Sequence, residues 1–341
     1  MMLSPLKKYE YYRTDLGVLY CGDCMEILKK MPDNSIHCCV TSPPYWGLRD
    51  YGCDGQLGLE KTPEEYTEKM VLVFREVRRV LRDDGTLWLN LGSSYAATTK
   101  GSSGVGKNGS NKGTLIIDRR WQVPPGFKPK DLIGIPWLVA FALQADGWYL
   151  RQDIIWSKPN PMPESVRDRC TKAHEYVFLL SKSSRYYYDA EAVKEESVYP
   201  DDNRKERQKP EDYAAMMGDS GQLRAVINPS NARTYPYRNR RSVWTIATQP
   251  CKEAHFATFP TKLIEPCILA GCPKNGTVLD PFFGAGTSGL VCEDLGRRWA
   301  GAELNEGYCA IAKQRIKAEA DQGNLFHQPQ PIERPEQESL F

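Results

Sequence analysis

No stretch of this sequence approaches the roughly 18 consecutive apolar residues that a membrane span needs. The opening MMLSPLKKYEYYRTD also lacks the apolar core of a secretory leader, so the expectation is a cytoplasmic protein with no membrane partner. Charge of one sign is missing too. Forty-five Lys and Arg stand against 43 Asp and Glu, a net +2, so any polyanion must be held by a local patch and not by the field of the whole chain. A disulfide framework is absent: the 11 cysteines fall largely inside apolar runs (Cys38, Cys39, Cys267, Cys292, Cys309) and read as reduced core residues. Cys21 and Cys24 form a CxxC, but no second pair stands at zinc spacing, so no metal site is expected. There is no internal repeat. What remains is a 341-residue chain, 41% hydrophobic and 26% charged, which rules out wholesale disorder and leaves room for about two folding units.

Strand and helix signals alternate along most of the chain. Val18–Tyr20, a short helix over Met25–Lys30 and the apolar run Ile36–Val40 make a β-α-β pattern. Thr62-Pro63-Glu64-Glu65 is a capping box with proline at the first helical position, and Tyr66, Met70, Phe74, Val77 and Leu81 keep a helical period up to the stop at Asp83-Asp84-Gly85. Thr86–Leu91 reads as a strand, followed by a helix over Leu132–Ala145 and strands over Tyr149–Ser157 and Glu175–Ser181, with Tyr186–Tyr188 taken as a strand edge. A parallel α/β sheet is expected. After an irregular stretch, the alternation resumes with a helix over Thr261–Ala270, a strand over Thr277–Asp280, a helix over Thr287–Leu295, a strand over Trp299–Leu304 and a helix over Tyr308–Glu319. The domain expectation is therefore a first half over 15–188 carrying a flexible basic loop at 96–130, an insertion at 189–250, a second half over 251–320 and a disordered tail at 321–341.

Two motifs carry chemistry. In Asp280-Pro281-Phe282-Phe283-Gly284-Ala285-Gly286-Thr287 a glycine-rich turn lies directly between a strand and a helix, where glycine lets the backbone approach a ligand closely. Glu303 ends the next strand, and an acid there can accept hydrogen bonds from both ribose hydroxyls. The third glycine of a dinucleotide site is missing, so an adenosine-containing cofactor other than NAD is expected.

Thr41-Ser42-Pro43-Pro44-Tyr45 follows another strand end. An exocyclic amino group on a nucleobase is a poor nucleophile because its lone pair is delocalised into the ring. Two acceptors, the Ser42 hydroxyl and the Pro43 carbonyl, can hold its N–H bonds so that the nitrogen rehybridises, with Pro44 stiffening the backbone and Tyr45 offering a face on which the base stacks. On its own the pentapeptide is equally a proline-rich turn with a buried tyrosine; its place at a strand end beside a nucleoside motif favours the chemical reading.

Together these motifs resemble the DNA amino-methyltransferases, which move a methyl group from S-adenosylmethionine to N4 of cytosine or N6 of adenine. The resemblance covers most of residues 18–320. It makes Ser42, Pro43, Pro44 and Tyr45 the catalytic motif, and Asp280, Pro281, Phe282, Gly284, Gly286, Thr287 and Glu303 the cofactor site. Asp23 falls at an acidic position near the cofactor adenine, and Phe256–Leu263 at the segment beside the methionine moiety. The catalytic motif precedes the cofactor motif, which is the permuted order of the beta class, with target recognition between them. What this implies is a Rossmann-like methyltransferase fold with circularly permuted motif order and an inserted target recognition region. Ser42, where adenine-modifying members more often carry Asp or Asn, points to cytosine N4; adenine N6 stays open, as does a catalytically silent DNA-binding relative. An RNA or small-molecule methyltransferase would leave the basic insertion superfluous. C5-cytosine chemistry would need a cysteine nucleophile in a Pro-Cys context, and Pro250-Cys251 and Pro266-Cys267 lie outside any comparable strand-end motif; no spaced acids suggest a nuclease.

Two segments are locally basic. Lys100, Lys107, Lys112, Arg119, Arg120, Lys128 and Lys130 face only Asp118, while Arg224, Arg233, Arg238, Arg240 and Arg241 meet no acid between Ser220 and Pro250. Lys107, Lys112, Arg233, Arg238, Arg240 and Arg241 are the candidate DNA contacts, phosphate contact competing with plain solvated surface. Trp156–Pro161 ends a strand on the face of the catalytic motif and is a candidate wall for an extruded base. The partners implied are double-stranded DNA, a cognate restriction endonuclease and, for a homodimer, a second copy of the chain.

Overall fold

The computed structural model describes residues 5–48, 50–96, 123–197, 236–249 and 259–321. The chain divides into two units, one formed by residues up to Asp189 together with those from Ser242 onward, the other by Ala190–Arg241.

The first unit is built on a nine-stranded sheet. Its strands are β1 (Glu10–Arg13), β2 (Gly17–Cys21), β3 (Ile36–Thr41), β4 (Leu81–Leu91), β5 (Tyr149–Ser157), β6 (His174–Ser181), β9 (Val243–Thr245), β10 (Thr277–Asp280) and β11 (Arg298–Glu303), in the order β1-β2-β11-β10-β3-β4-β6-β5-β9. From β2 to β4 the strands run parallel, as expected. Beyond β4 the expectation fails: β6 is antiparallel to both β4 and β5, so the sheet is mixed. Apolar runs announce a strand but not its direction, which the connection decides.

Helices cover both faces. α1 (Cys24–Leu28), α2 (Pro63–Val80) and α3 (Ile135–Ala145) pack on one side. Thr62 caps α2 by accepting the Glu65 amide at 3.2 Å, and Tyr66, Met70, Val73, Phe74 and Val77 turn its apolar stripe to the core. The helix ends at Val80 and strand β4 begins at once at Leu81, with Asp83-Asp84-Gly85 accommodated in an irregularity of its pairing to β3 and not as a separate stop. On the other face lies α4 (Thr261–Gly271). A Cβ on its Gly271 would stand 2.5 Å from Trp88 Nε1 and 2.9 Å from Cys38 Sγ, so only glycine lets this helix lie so close to the sheet. α5 (Thr287–Asp294) and α6 (Glu306–Asp321) complete the set.

β3 and β10 are neighbours, yet the chain winds from β3 to β4 on one side and from β10 to β11 on the other. Their carboxyl ends flank the crevice where open α/β sheets bind ligands. Tyr186–Tyr188, expected as a strand edge, follow β6 without strand pairing; Tyr188 instead stacks on Trp88 with centroids 6.4 Å apart. Val243–Thr245, expected inside the insertion, pair with β5, where Trp156 and Trp244 lie in register.

In the second unit β7 (Glu195–Glu196) pairs antiparallel with β8 (Tyr237–Arg238). The arginine cluster expected to face no acid meets one from outside its own stretch: Arg238 and Arg241 both donate Nε to Glu195 Oε1, at 2.9 and 2.7 Å. Arg240 lies half-buried between them in sequence. Lys107, Lys112 and Arg233 lie outside the described residues, as do most of the basic loop and the tail. Lys128 and Lys130, at the end of that loop, are paired with Asp131 and Asp168. No helix among the described residues is long and apolar enough to cross a membrane.

Candidate active site

A cleft of about 460 Å³ opens at the carboxyl ends of β3, β4, β10 and β11, a size suited to a small ligand. One wall is the glycine turn. Gly284 (φ 51°) and Gly286 (φ 78°) both take left-handed backbone, which residues with a Cβ resist. At Gly284 a Cβ would meet nothing nearer than Phe282 O at 4.0 Å, so this backbone faces open space. Glu303 holds the turn in place: its Oε2 accepts the Gly284 amide at 2.7 Å and its Oε1 accepts the Asn305 amide at 2.8 Å. Burial raises the Glu303 carboxyl above its ordinary value, opposed by these amide hydrogen bonds. Each oxygen keeps a second lone pair for a ligand hydroxyl. Asp23 caps α1 through Oδ1, which accepts the Glu26 amide at 3.0 Å, and lines the same cleft with Gly22. An open backbone turn flanked by two acids fits the nucleoside part of S-adenosylmethionine.

Pro281, Phe282 and Thr287 also line the cleft, whereas Asp280 and Gly286 do not. Asp280 points into the protein and is 2% exposed. Its Oδ1 accepts the Thr41 hydroxyl at 2.6 Å and the Phe282 amide at 3.1 Å, and its Oδ2 accepts the Ser288 hydroxyl at 2.6 Å. Burial pushes its carboxyl up to about 6 in spite of three donors. The geometry makes Asp280 a positioning residue for both motifs. Gly286 is required for packing, since a Cβ there would stand 2.8 Å from the Ala312 Cβ.

The opposite wall is Ser42-Pro43-Pro44-Tyr45, launched from β3. Buried Tyr66 of α2 donates its hydroxyl to Pro44 O at 2.9 Å and fixes that peptide. Tyr45 differs from the expectation of a bare stacking face. Its hydroxyl lies 2.8 Å from Glu175 Oε2, 3.0 Å from Asn90 Oδ1 and 3.4 Å from Ser42 Oγ. Burial pushes the phenol well above its ordinary range, and the nearby Glu175 adds to that.

Asn90 and the residues from the β5–β6 hairpin are the part the motifs did not reveal. Lys172, His174 and Glu175 all line the cleft, beside Trp156, Lys158 and Pro161 of the expected wall. Lys158 forms an ion pair with Glu175 and places its ammonium 4.1 Å from the centre of the Trp156 ring. Burial lowers both Lys172 and His174 from their ordinary values; Lys172 donates to Ser93 O at 3.0 Å. Asn90 did carry a signal, being the one polar residue in the buried run Leu87–Leu91. The segment Phe256–Leu263 is described only from Phe259, which lines the cleft. Among the described residues no group of three His, Cys, Asp or Glu side chains is placed to hold a metal.

Known proteins agree with this architecture. The chain is 46% identical over 321 residues to the type II methyltransferase M.Cfr9I of Citrobacter freundii, covering 93% of this chain and 94% of that relative. It is 48% identical over 295 residues to the type II methyltransferase M.SmaI of Serratia marcescens, covering 86% and 89%. In fold it is similar to the PvuII DNA methyltransferase (cytosine-N4-specific), with a TM-score of 0.59, 19% identity and coverage of 92% and 94%. It is also similar to a putative DNA modification methylase of Thermus thermophilus, solved in complex with S-adenosyl-L-methionine, with a TM-score of 0.53, 22% identity and coverage of 88% and 95%. The profile of the DNA methylase family of N6/N4 methyltransferases matches residues 36–314. With that match spanning both walls of the cleft, the chain belongs to the N6/N4 DNA methylase family.

Proposed function

We propose that this DNA methyltransferase acts on N4 of cytosine in double-stranded DNA, as the modification half of a restriction-modification pair. The observation that carries the reading is the placement of Ser42 and Pro43 on the wall opposite Glu303 and Gly284, with Thr41 and Asp280 joined at 2.6 Å to hold the two walls together. S-adenosylmethionine, the methyl donor, supplies an electrophilic methyl group on a sulfonium. Glu303 and Asp23 orient the nucleoside end of that donor through hydroxyl and amino hydrogen bonds, and the Gly284 backbone allows close approach. Ser42 Oγ and Pro43 O accept the two N–H bonds of the target amine, which withdraws its lone pair from the ring and aims it across the cleft. Lys158 and the Trp156 ring wall the space for a base that has left the duplex stack. A hydroxyl as the first acceptor, at Ser42, supports cytosine over adenine, and the type II names of the relatives support a cognate endonuclease.

Incubating the protein with duplex DNA and isotopically labelled S-adenosylmethionine, followed by mass spectrometry of the nucleosides, tests this directly. N4-methyldeoxycytidine is the expected product. Label in N6-methyldeoxyadenosine would overturn the base assignment, and no labelled nucleoside would overturn the role.

A further inference from the structure

Glu175 stands at the start of β6, 130 residues from Tyr45, and reaches into the catalytic wall. Its two oxygens have different tasks. Oε1 pairs with the Lys158 ammonium, and Oε2 lies 2.8 Å from the Tyr45 hydroxyl. Both side chains of the ion pair are less than a fifth exposed, 17% and 18%, so the pair is shielded from bulk water and its geometry counts.

Tyr45 has one proton and three neighbours that could take it: Glu175 Oε2 at 2.8 Å, Asn90 Oδ1 at 3.0 Å and Ser42 Oγ at 3.4 Å. A carboxylate is the strongest acceptor of the three, and it is also the nearest. The orientation of Asn90 is fixed independently, because its Nδ2 donates to Tyr176 O at 3.0 Å and faces Glu175 Oε2 at 3.4 Å. Its Oδ1 therefore turns toward Ser42 and Tyr45. With the tyrosine proton committed to Glu175, Tyr45 cannot donate to Ser42. The Ser42 proton is then directed inward, to Tyr45 Oη or Asn90 Oδ1, both at 3.4 Å.

We infer that Glu175 is a positioning residue that acts through Tyr45 on Ser42, committing the Ser42 hydroxyl to accept, and not donate, toward the target amine. The inference rests on the reading of Ser42 as an acceptor for that amine. A hydroxyl free to rotate would spend part of its time presenting its proton to the substrate nitrogen, competing for the lone pair that must attack. A chain of O–H donors ending on a carboxylate also polarises, leaving more electron density on Ser42 Oγ. Lys158 keeps the carboxylate fixed while its own ring contact with Trp156 holds the ammonium aside.

The test uses full-length protein with four variants, Ser42→Ala, Tyr45→Phe, Glu175→Gln and the double Tyr45→Phe/Glu175→Gln, on duplex DNA. Tyr45→Phe keeps the ring and leaves the Lys158–Glu175 pair intact, so it probes the relay even if Glu175→Gln perturbs the hairpin. Loss of a direct acceptor, as in Ser42→Ala, costs on the order of 10² to 10³ in rate, and loss of the group that orients it a smaller factor, about tenfold. Tyr45→Phe and Glu175→Gln should each lower kcat by about tenfold with KM for duplex and Kd for S-adenosylmethionine unchanged, and the double should be no slower than the slower single. Wild-type kcat in Tyr45→Phe or Glu175→Gln would overturn the inference, as would losses that multiply in the double variant. Ser42→Ala separates the two levels: full activity there removes the acceptor role itself, whereas a slow Ser42→Ala with a fast Glu175→Gln removes only the relay.

Discussion

Thr41 and Asp280, 239 residues apart, meet at 2.6 Å through a buried hydroxyl–carboxylate hydrogen bond. One residue leads into the Ser42–Tyr45 wall and the other into the glycine turn, so this bond ties the two walls of the cleft together; on the proposed function it sets the spacing between the amine acceptors and the methyl donor.

The same pair has a pH signature. Burial raises the Asp280 carboxyl from 3.8 to about 6, so the folded state binds this proton more tightly than the unfolded chain does. The contribution to stability is full below about pH 4 and is lost as pH rises through about 6. The change corresponds to about 3 kcal/mol across that window. Asp280→Asn, which does not titrate, should flatten this part of the urea-midpoint profile between about pH 4 and 6 relative to the parent. Parallel profiles for the two proteins would show that Asp280 does not titrate in the window.

Glu303 combines two jobs, accepting the Gly284 and Asn305 amides while facing the cleft. Glu303→Gln keeps the size but turns an amino group toward one of those amides. We expect S-adenosylmethionine to bind about tenfold or more weakly by calorimetry, in line with a lost charge-assisted hydrogen bond. Duplex affinity measured without cofactor should stay within about twofold. Unaltered cofactor affinity would reduce Glu303 to a brace for the glycine turn.

The parts of this site that were legible in the sequence are local. Asp280–Thr287 announces itself because strand, turn and helix follow one another within a few residues, and the capping box at Thr62 announces α2 for the same reason. Glu175 could not be read that way. Its meaning depends on β6 running antiparallel to β4, which brings Glu175 beside Asn90 and Tyr45, and nothing in the run His174–Ser181 encodes strand direction. Glu195 was hidden for a similar reason: the window that made Arg238 and Arg241 look free of acids was a window of sequence, and β7 pairs with β8 from outside it. Asp280 illustrates the opposite case, a motif residue in the expected place whose side chain faces the protein and not the cleft.

Gly92 gives a test of the catalytic wall that leaves every polar group in place. A Cβ there would stand 2.6 Å from Tyr45 Cε2, closer than atoms tolerate, so Gly92→Ala must displace the ring or the backbone beside it and disturb the hydroxyl that faces Glu175. Overpacking of this kind costs about 1 to 3 kcal/mol. We expect a lower melting temperature and a fall in kcat at least as large as that of Tyr45→Phe, with cofactor affinity preserved. A variant that methylates at the parent rate would mean that the ring can move without consequence.

The arginines of the second unit offer a test of recognition. Arg241 is 65% exposed on its side chain and Arg238 30%, although both donate to Glu195 Oε1. The more exposed guanidinium is the better placed of the two to meet a phosphate oxygen. Arg241→Ala should therefore weaken duplexes of any sequence alike and lower the slope of log affinity against log salt by about one. Arg238, more enclosed in the β7–β8 ladder, should act through Glu195, which it helps to hold in place. Glu195→Ala removes an anion beside both guanidiniums, so it should strengthen binding to every duplex and steepen the salt dependence. Fluorescence anisotropy across a salt series, on duplexes with and without the sequence that the enzyme methylates, measures both variants. If Arg241→Ala and Glu195→Ala both bind like the parent at every salt concentration, the cluster serves only to tie β7 to β8, and phosphate contact must come from other basic residues.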